Sequence, residues 1–357
     1  MRGLLVHAMA AGIGLAWLLA GGAVGQAQGV YRPLPLSPPA ALPPVPSNGR
    51  PAVFDAFAAP PVENRILRPW ETRDVPFGAW GSQLQWDPRI LASTTIRRYR
   101  HAFVQKTRFN SGYVYRNSER SLGYSWLLAD ITMVVPLGSG DRVLAATPRY
   151  RVDWVSGPDT VDVPPRLYSA AVDVGVRLQT GNRFTFVGGV QPGWYNDQQS
   201  TSSGFRLGAL LLLIHDLVPE KFSFNIGVAR LDRNDYDIVP VLGATWVPNP
   251  DTRFDLTFPR PKIARRVGHI PCVHEDWVYV SGFFGGGTWA VRREAGFDDE
   301  LTLRDFRISI GAERVVNGGT GFHLEAGLVF GRKLEYQVVP LELDFDDTFM
   351  LEAGFSF

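Results

Sequence analysis

From about residue 100 onward, apolar and polar side chains alternate with a period of two. In Tyr168-Ala170-Val172-Val174-Val176-Leu178 every second residue is apolar, while Ser169, Asp173, Gly175, Arg177 and Gln179 fill the positions between. The same rhythm runs through Phe184-Phe186-Gly188-Val190, Phe222-Phe224-Ile226-Val228, Phe306-Ile308-Ile310-Ala312, Phe322-Leu324-Ala326-Leu328-Phe330 and Phe349-Leu351-Ala353-Phe355-Phe357. Successive side chains of a strand point to opposite faces, so each segment predicts a strand with one apolar face and one polar or crowded face. Past the leader, the longest apolar run, residues 209–214, is far too short for a spanning helix.

Two media can receive such apolar faces: a shared protein core, or lipid around a transmembrane barrel. Large aromatics stand at the ends of the apolar faces (Tyr168, Trp194, Tyr236, Trp246, Trp277, Tyr279), where an interfacial girdle needs them. The opposite faces carry Gly175, Gly189, Gly208, Gly227, Gly243, Gly282, Gly286, Gly311, Gly327 and Gly354, which suits a crowded lumen better than a solvated surface. The fold class expected is all-β, a transmembrane antiparallel up-and-down β-barrel.

Counting segments gives twelve strands: 101–116, 121–136, 141–155, 166–180, 183–196, 204–217, 221–231, 235–247, 276–291, 301–314, 320–333 and 346–357. An even number leaves both barrel ends on one side of the membrane. Short connections at 138–141, 180–182, 218–220 and 317–319 alternate with longer ones at 156–165, 197–203, 292–300 and 334–345. Segment 252–258 also alternates, but Pro248, Pro250, Pro259 and Pro261 bracket it, and proline cannot donate to a central ladder. Residues 248–275 are therefore read as an elaborated periplasmic connection. Its cluster of Arg260, Lys262, Arg265 and Arg266 offers cell-wall acids a contact, or is simply a solvated loop. Cys272, beside His274, is read as an ordinary loop thiol.

The N-terminal third divides into three parts. Met1-Arg2, a nearly uncharged stretch at 4–24 and Gly25-Gln26-Ala27 read as a signal peptide cut after Ala27; the alternative is an uncleaved membrane anchor. Residues 28–63 hold ten of the chain's 27 prolines and predict an extended periplasmic spacer, with a cell-wall contact as the functional alternative. Residues 64–100 are a partly ordered lead-in, and 101–357 the barrel.

Composition narrows the function. With 36 basic and 35 acidic residues the chain has no electrostatic footprint for nucleic acid. A single cysteine excludes a disulfide framework and Cys-based metal sites. No phosphate-cradling loop, HExxH pair or calcium loop is present, so no cofactor and no metal is expected. The glycine cluster at 282–287 lies within a strand and reads as a device for curvature or close packing. If Phe306, Ile308 and Ile310 face lipid, Arg307, Ser309 and Glu313 face inward; by the same parity so do His323, Glu325 and Glu352. We read Arg307, Glu313, His323, Glu325 and Glu352 as a lumen charge network bracing the wall, with Arg307 partnering Glu325. The competing reading, a Ser309–His323–acid triad, is disfavoured because a lipid hydrolase must project such residues outward. Elsewhere the lumen would carry both signs: Asp173, Arg177, Arg183, Gln191, Arg206, Asn225 and Asp237.

The final strand, with Phe349, Leu351, Ala353, Phe355 and Phe357 at alternate positions, resembles the assembly signal that bacterial outer-membrane barrels present to their insertion machinery. More broadly, residues 90–357 are similar in layout to a family of uncharacterised outer-membrane barrels, including Phe258-Pro259-Arg260-Pro261-Lys262 and the 282–287 glycines. The resemblance implies an outer-membrane location with lipid and the insertion machinery as partners, and it carries no catalytic residue. The function expected is a passive pore for small solutes; the alternatives are a closed structural or surface-interaction barrel and, more distantly, a lipid hydrolase.

Overall fold

The computed structural model describes residue 96 and residues 102–357, apart from 120, 138–141, 159–160, 181–182 and 220. The leader, the proline-rich spacer and nearly all of the lead-in lie outside the described residues.

Among the described residues fifteen strands follow one another: β1 Val104–Val114, β2 Gly123–Pro136, β3 Arg142–Ser156, β4 Arg166–Thr180, β5 Phe184–Asn196, β6 Phe205–Val218, β7 Phe222–Arg230 and β8 Ile238–Asn249. Then come β9 Thr252–Asp255, β10 Lys262–Ile270, β11 His274–Arg292, β12 Asp298–Val316, β13 Gly321–Tyr336, β14 Leu341–Phe345 and β15 Thr348–Ser356. Each pairs antiparallel with the next from β1 to β13, and β15 closes the ring by pairing with both β13 and β1. β14 continues the same position alongside the outer part of β13. The result is a closed antiparallel barrel of fourteen strands. Closure leaves no sheet edge running the length of the wall.

The expectation of about twelve strands is thus corrected upward. Residues 248–275 are not a connection: β9 and β10 lie there, with β9 bonded to β8 and β10 to β11. Counting 252–258 alone gives an odd number, and its partner β10 is hidden because Arg265 interrupts its outward positions and a register shift between Arg266 and Gly268 breaks the alternation. The basic cluster is redirected too. Lys262 reaches Glu313 inside the ring (3.3 Å), Arg266 binds Asp251 and Glu275, and Arg260 lies over the Phe283 ring, leaving only Arg265 outward. The connection at 334–345 is largely strand and that at 292–300 keeps only 293–297 outside strand, because β11, β12 and β13 run past the rest of the wall and β14 follows.

Outward positions form an apolar band: Leu211, Ile226, Leu242, Ile308, Ile310, Leu324 and Leu351 are each more than half exposed. Aromatics flank the band, with Trp154, Trp194, Phe205 and Tyr236 toward one rim and Phe184, Trp246, Phe322 and Phe357 toward the other. Trp277 and Tyr279 belong elsewhere. Both are 4% exposed and face inward, because Val278 and Val280 occupy the outward positions of β11. Gly282 shares that outward parity, so it does not line the lumen.

Candidate functional site: a cross-braced lumen and its outer mouth

Inside the ring, arginines are clipped to acids two residues away on the same strand face. Arg151–Asp153 and Arg253–Asp255 are such pairs, and Asp305–Arg307 is the same device reversed. Residues i and i+2 share one face of a strand about 6.6 Å apart, within reach of an arginine curling back. Other pairs join neighbouring strands: Arg108 grips Asp130 through two bonds (2.9 and 2.7 Å), and Asp173 takes bonds from both Arg149 and Gln191. Buried charges without such partners would be expensive.

The Asp305–Arg307 clip also spans the lumen. The Tyr124 hydroxyl of β2 donates to Asp305 (2.6 Å) and accepts from Arg307, while the guanidinium lies over the Trp126 and Phe283 rings (5.3 Å each). β2 and β12 are separated along the wall by β13, β15 and β1, so this bond crosses the interior.

All five residues of the sequence-derived network lie on the inward parity of their strands, but they divide into four groups. Arg307 binds Asp305 and Tyr124, not Glu325. Glu325 sits level with Gly311, four residues down β12, roughly 13 Å from Arg307 along the strand. Its partners are the Tyr279 hydroxyl (2.6 Å) and the Ser309 hydroxyl (2.8 Å). His323 faces Glu352 at 3.6 Å, and Glu313 takes Lys262. With Ser309 given to Glu325 and His323 to Glu352, no triad is assembled. Of the other lumen candidates, Asp173, Arg177, Gln191 and Asn225 are buried, whereas Arg183 is exposed at the lower turn and Asp237 in the upper rim.

The barrel end opposite Phe357 is closed differently. β11 and β12 extend beyond the wall and fold across the opening, so that Ala290 pairs in parallel with Asn196 of β5. Five strands separate β5 from β11 along the wall, so the contact can only form across the mouth. Gly286, at φ 95°, makes the bend; a Cβ there would stand 1.9 Å from the Leu303 carbonyl. The strap is pinned by the Asp197 amide on Ala290 O (3.1 Å), Arg292 N on Asp197 (2.9 Å), Trp289 on Ser169 (3.1 Å) and Arg293 on Asp162 (3.0 Å). At its tip, bonds from Thr201 hold the Asp298 carboxyl below the usual carboxylate range. Beneath lies an apolar layer containing Trp126, Leu167, Trp289, Leu301, Leu334 and Tyr336.

No family model matches the chain, and no curated protein matches it. Among solved structures it is similar to a TodX monoaromatic hydrocarbon channel mutant, ΔS2S3, at 10% identity and TM-score 0.33, covering 70% of this chain and 89% of that one. The β-domain of the Bordetella autotransporter BrkA is similar at 9% identity and TM-score 0.26, with 71% and 98% covered. A mutant of Rh. blastica porin gives 8% identity and TM-score 0.20, again over 71% and 98%. These likenesses extend to the barrel architecture alone.

Proposed function

We propose that the chain is an outer-membrane β-barrel acting as a channel for small solutes, without enzymatic activity. The carrying observation is the belt of exposed Leu, Ile, Val and Phe side chains outside a closed ring whose interior holds buried ion pairs beside apolar clusters. Water would leave that belt unsatisfied, whereas a bilayer receives it, and the flanking aromatics suit the two interfaces. On this reading residues 1–27 direct export, 28–63 form the spacer, and the strand ending on Phe357 engages the insertion machinery. Purified protein in a planar bilayer should give discrete conductance steps. A folded, inserted protein that stays silent would favour the second reading, a closed structural barrel, which the strap over the mouth supports.

A further inference from the structure

Between β8 and β11 the wall stops halfway. The β9–β10 hairpin is short: Phe258 N bonds Leu242 O on one side and Gly282 N bonds Pro261 O on the other, and the hairpin reaches no higher. Above it, 238–241 of β8 pair only with β7, and 283–289 of β11 only with β12. Among the described residues no strand bridges this seam. β11 bends at Gly286 toward the strap while keeping its register with β12, so on the seam side its upper half has no strand to pair with.

The β7–β8 loop, 231–237, fills the seam. Arg233, clamped by two bonds to Asp235 (2.9 Å each), donates to Gly285 O (3.1 Å) and Leu303 O (2.9 Å). It thereby gives two main-chain carbonyls beside the seam a donor. Its guanidinium covers the Phe284 ring, against which Tyr236 packs edge-on at 5.6 Å. Outside the seam, Ile238 and Leu242 belong to the apolar band. Inside, Leu210, Leu212, Ala229, Val239 and Val241 form an apolar inner wall, each at most 8% exposed. Apolar surface thus lies on both sides of a gap held shut by one loop.

We propose that this seam is a side port, latched by Arg233, that admits small apolar or aromatic solutes from the membrane rather than through the strapped mouth. The proposal rests on the channel reading and names its substrate class. An apolar solute dissolved in the bilayer meets Ile238 and Leu242 outside the seam and the wall of Leu210, Leu212, Val239 and Val241 inside it, while displacing the loop breaks the Arg233 bonds and those of Asn234 to Glu300 and Gln337. The axial path instead crosses the ion-paired strap.

The test uses the full-length chain in the outer membrane of a Gram-negative host, with the fluorescent probe N-phenyl-1-naphthylamine. In a Cys272→Ser background, Tyr236→Cys with Phe284→Cys places two thiols across the seam, and Thr201→Cys with Asp298→Cys places two across the strap. Each pair is bridged by a short bis-methanethiosulfonate that dithiothreitol removes, with heat-modifiable migration confirming a folded barrel. Bridging the seam should abolish probe influx above the empty-vector rate, with recovery on reduction, while bridging the strap leaves influx at the parental rate. Arg233→Met, which releases the latch, should raise influx above the parent. Influx lost with the strap bridge, unchanged by the seam bridge, or absent in the parent would overturn the side port. Conductance steps from the same preparation would leave the channel reading standing in each of those cases.

Discussion

Replacing Arg307 with Ala tests the bracing of the lumen at a deeply buried point. The guanidinium makes two bonds to Asp305 (2.6 and 3.0 Å) and one to Tyr124, and both charged side chains are 5% exposed, so solvent screening offers little relief. Removing it strands the Asp305 carboxylate with the Tyr124 hydroxyl as its remaining clear partner, which costs about 3–5 kcal/mol. At about 1.36 kcal/mol per decade, the folding equilibrium constant should fall roughly 10²- to 10³-fold or somewhat more. Removing both charges in an Arg307→Ala, Asp305→Asn double variant leaves no stranded ion, so most of the loss should return, with a coupling to the Asp305→Asn single variant of about 1–3 kcal/mol. Urea titration of refolding into lipid vesicles, followed by tryptophan emission and by the gel shift of the folded barrel, measures all four corners of the cycle. A loss below about 1 kcal/mol for Arg307→Ala, or strict additivity in the double variant, would refute the bracing.

Two further outcomes follow from the wall. Leu324, 58% exposed on the outward face between Phe322 and Ala326, should cost about 2–4 kcal/mol as Leu324→Arg in the same titration; parental stability would reverse the assignment of faces. Phe357 exchanges two backbone bonds with Thr107 and stacks near Phe109 and Phe355, so Phe357→Asp should cut outer-membrane yield while export across the inner membrane continues; normal yield would contradict closure at this strand.

The barrel was legible because lipid-facing and lumen-facing positions alternate, and Ile308-Ile310 or Phe349-Leu351 declare their side without reference to any neighbour. β10 was not, since Arg265 and the register shift between Arg266 and Gly268 break its apolar rhythm near the rim, where a charged side chain reaches water. Aromatic size, taken ahead of parity, misplaced Trp277 and Tyr279: it suggested a girdle, but Glu275 and Glu325 supply inward partners for their polar tips. The missed partner of Arg307 was within reach of the sequence. Asp305-Phe306-Arg307 repeats, in reverse, the spacing of Arg151-Val152-Asp153 and Arg253-Phe254-Asp255, and any two residues so spaced share a strand face. Tyr124 was beyond reach. Which rungs of β2 and β12 meet across the ring depends on the stagger of the closed barrel, and that changed when two strands were added.

The meeting of Ala290 with Asn196 has a bearing on the order of assembly. Among the described strands, every other pairing but ring closure joins segments close along the chain, so each new strand is templated by the one before it. The strap contact joins segments 94 residues apart and has its docking site only after β6 to β10 have curved the wall round. Such a late, long-range closure carries a large loop-closure entropy. Until then the tip of β11–β12 projects freely, and its charged residues, Arg292, Arg293, Asp298 and Asp299, keep it soluble while it waits. Capping of the mouth therefore waits on the curving of β6 to β10, a step separate from the pairing of each strand with the one before it.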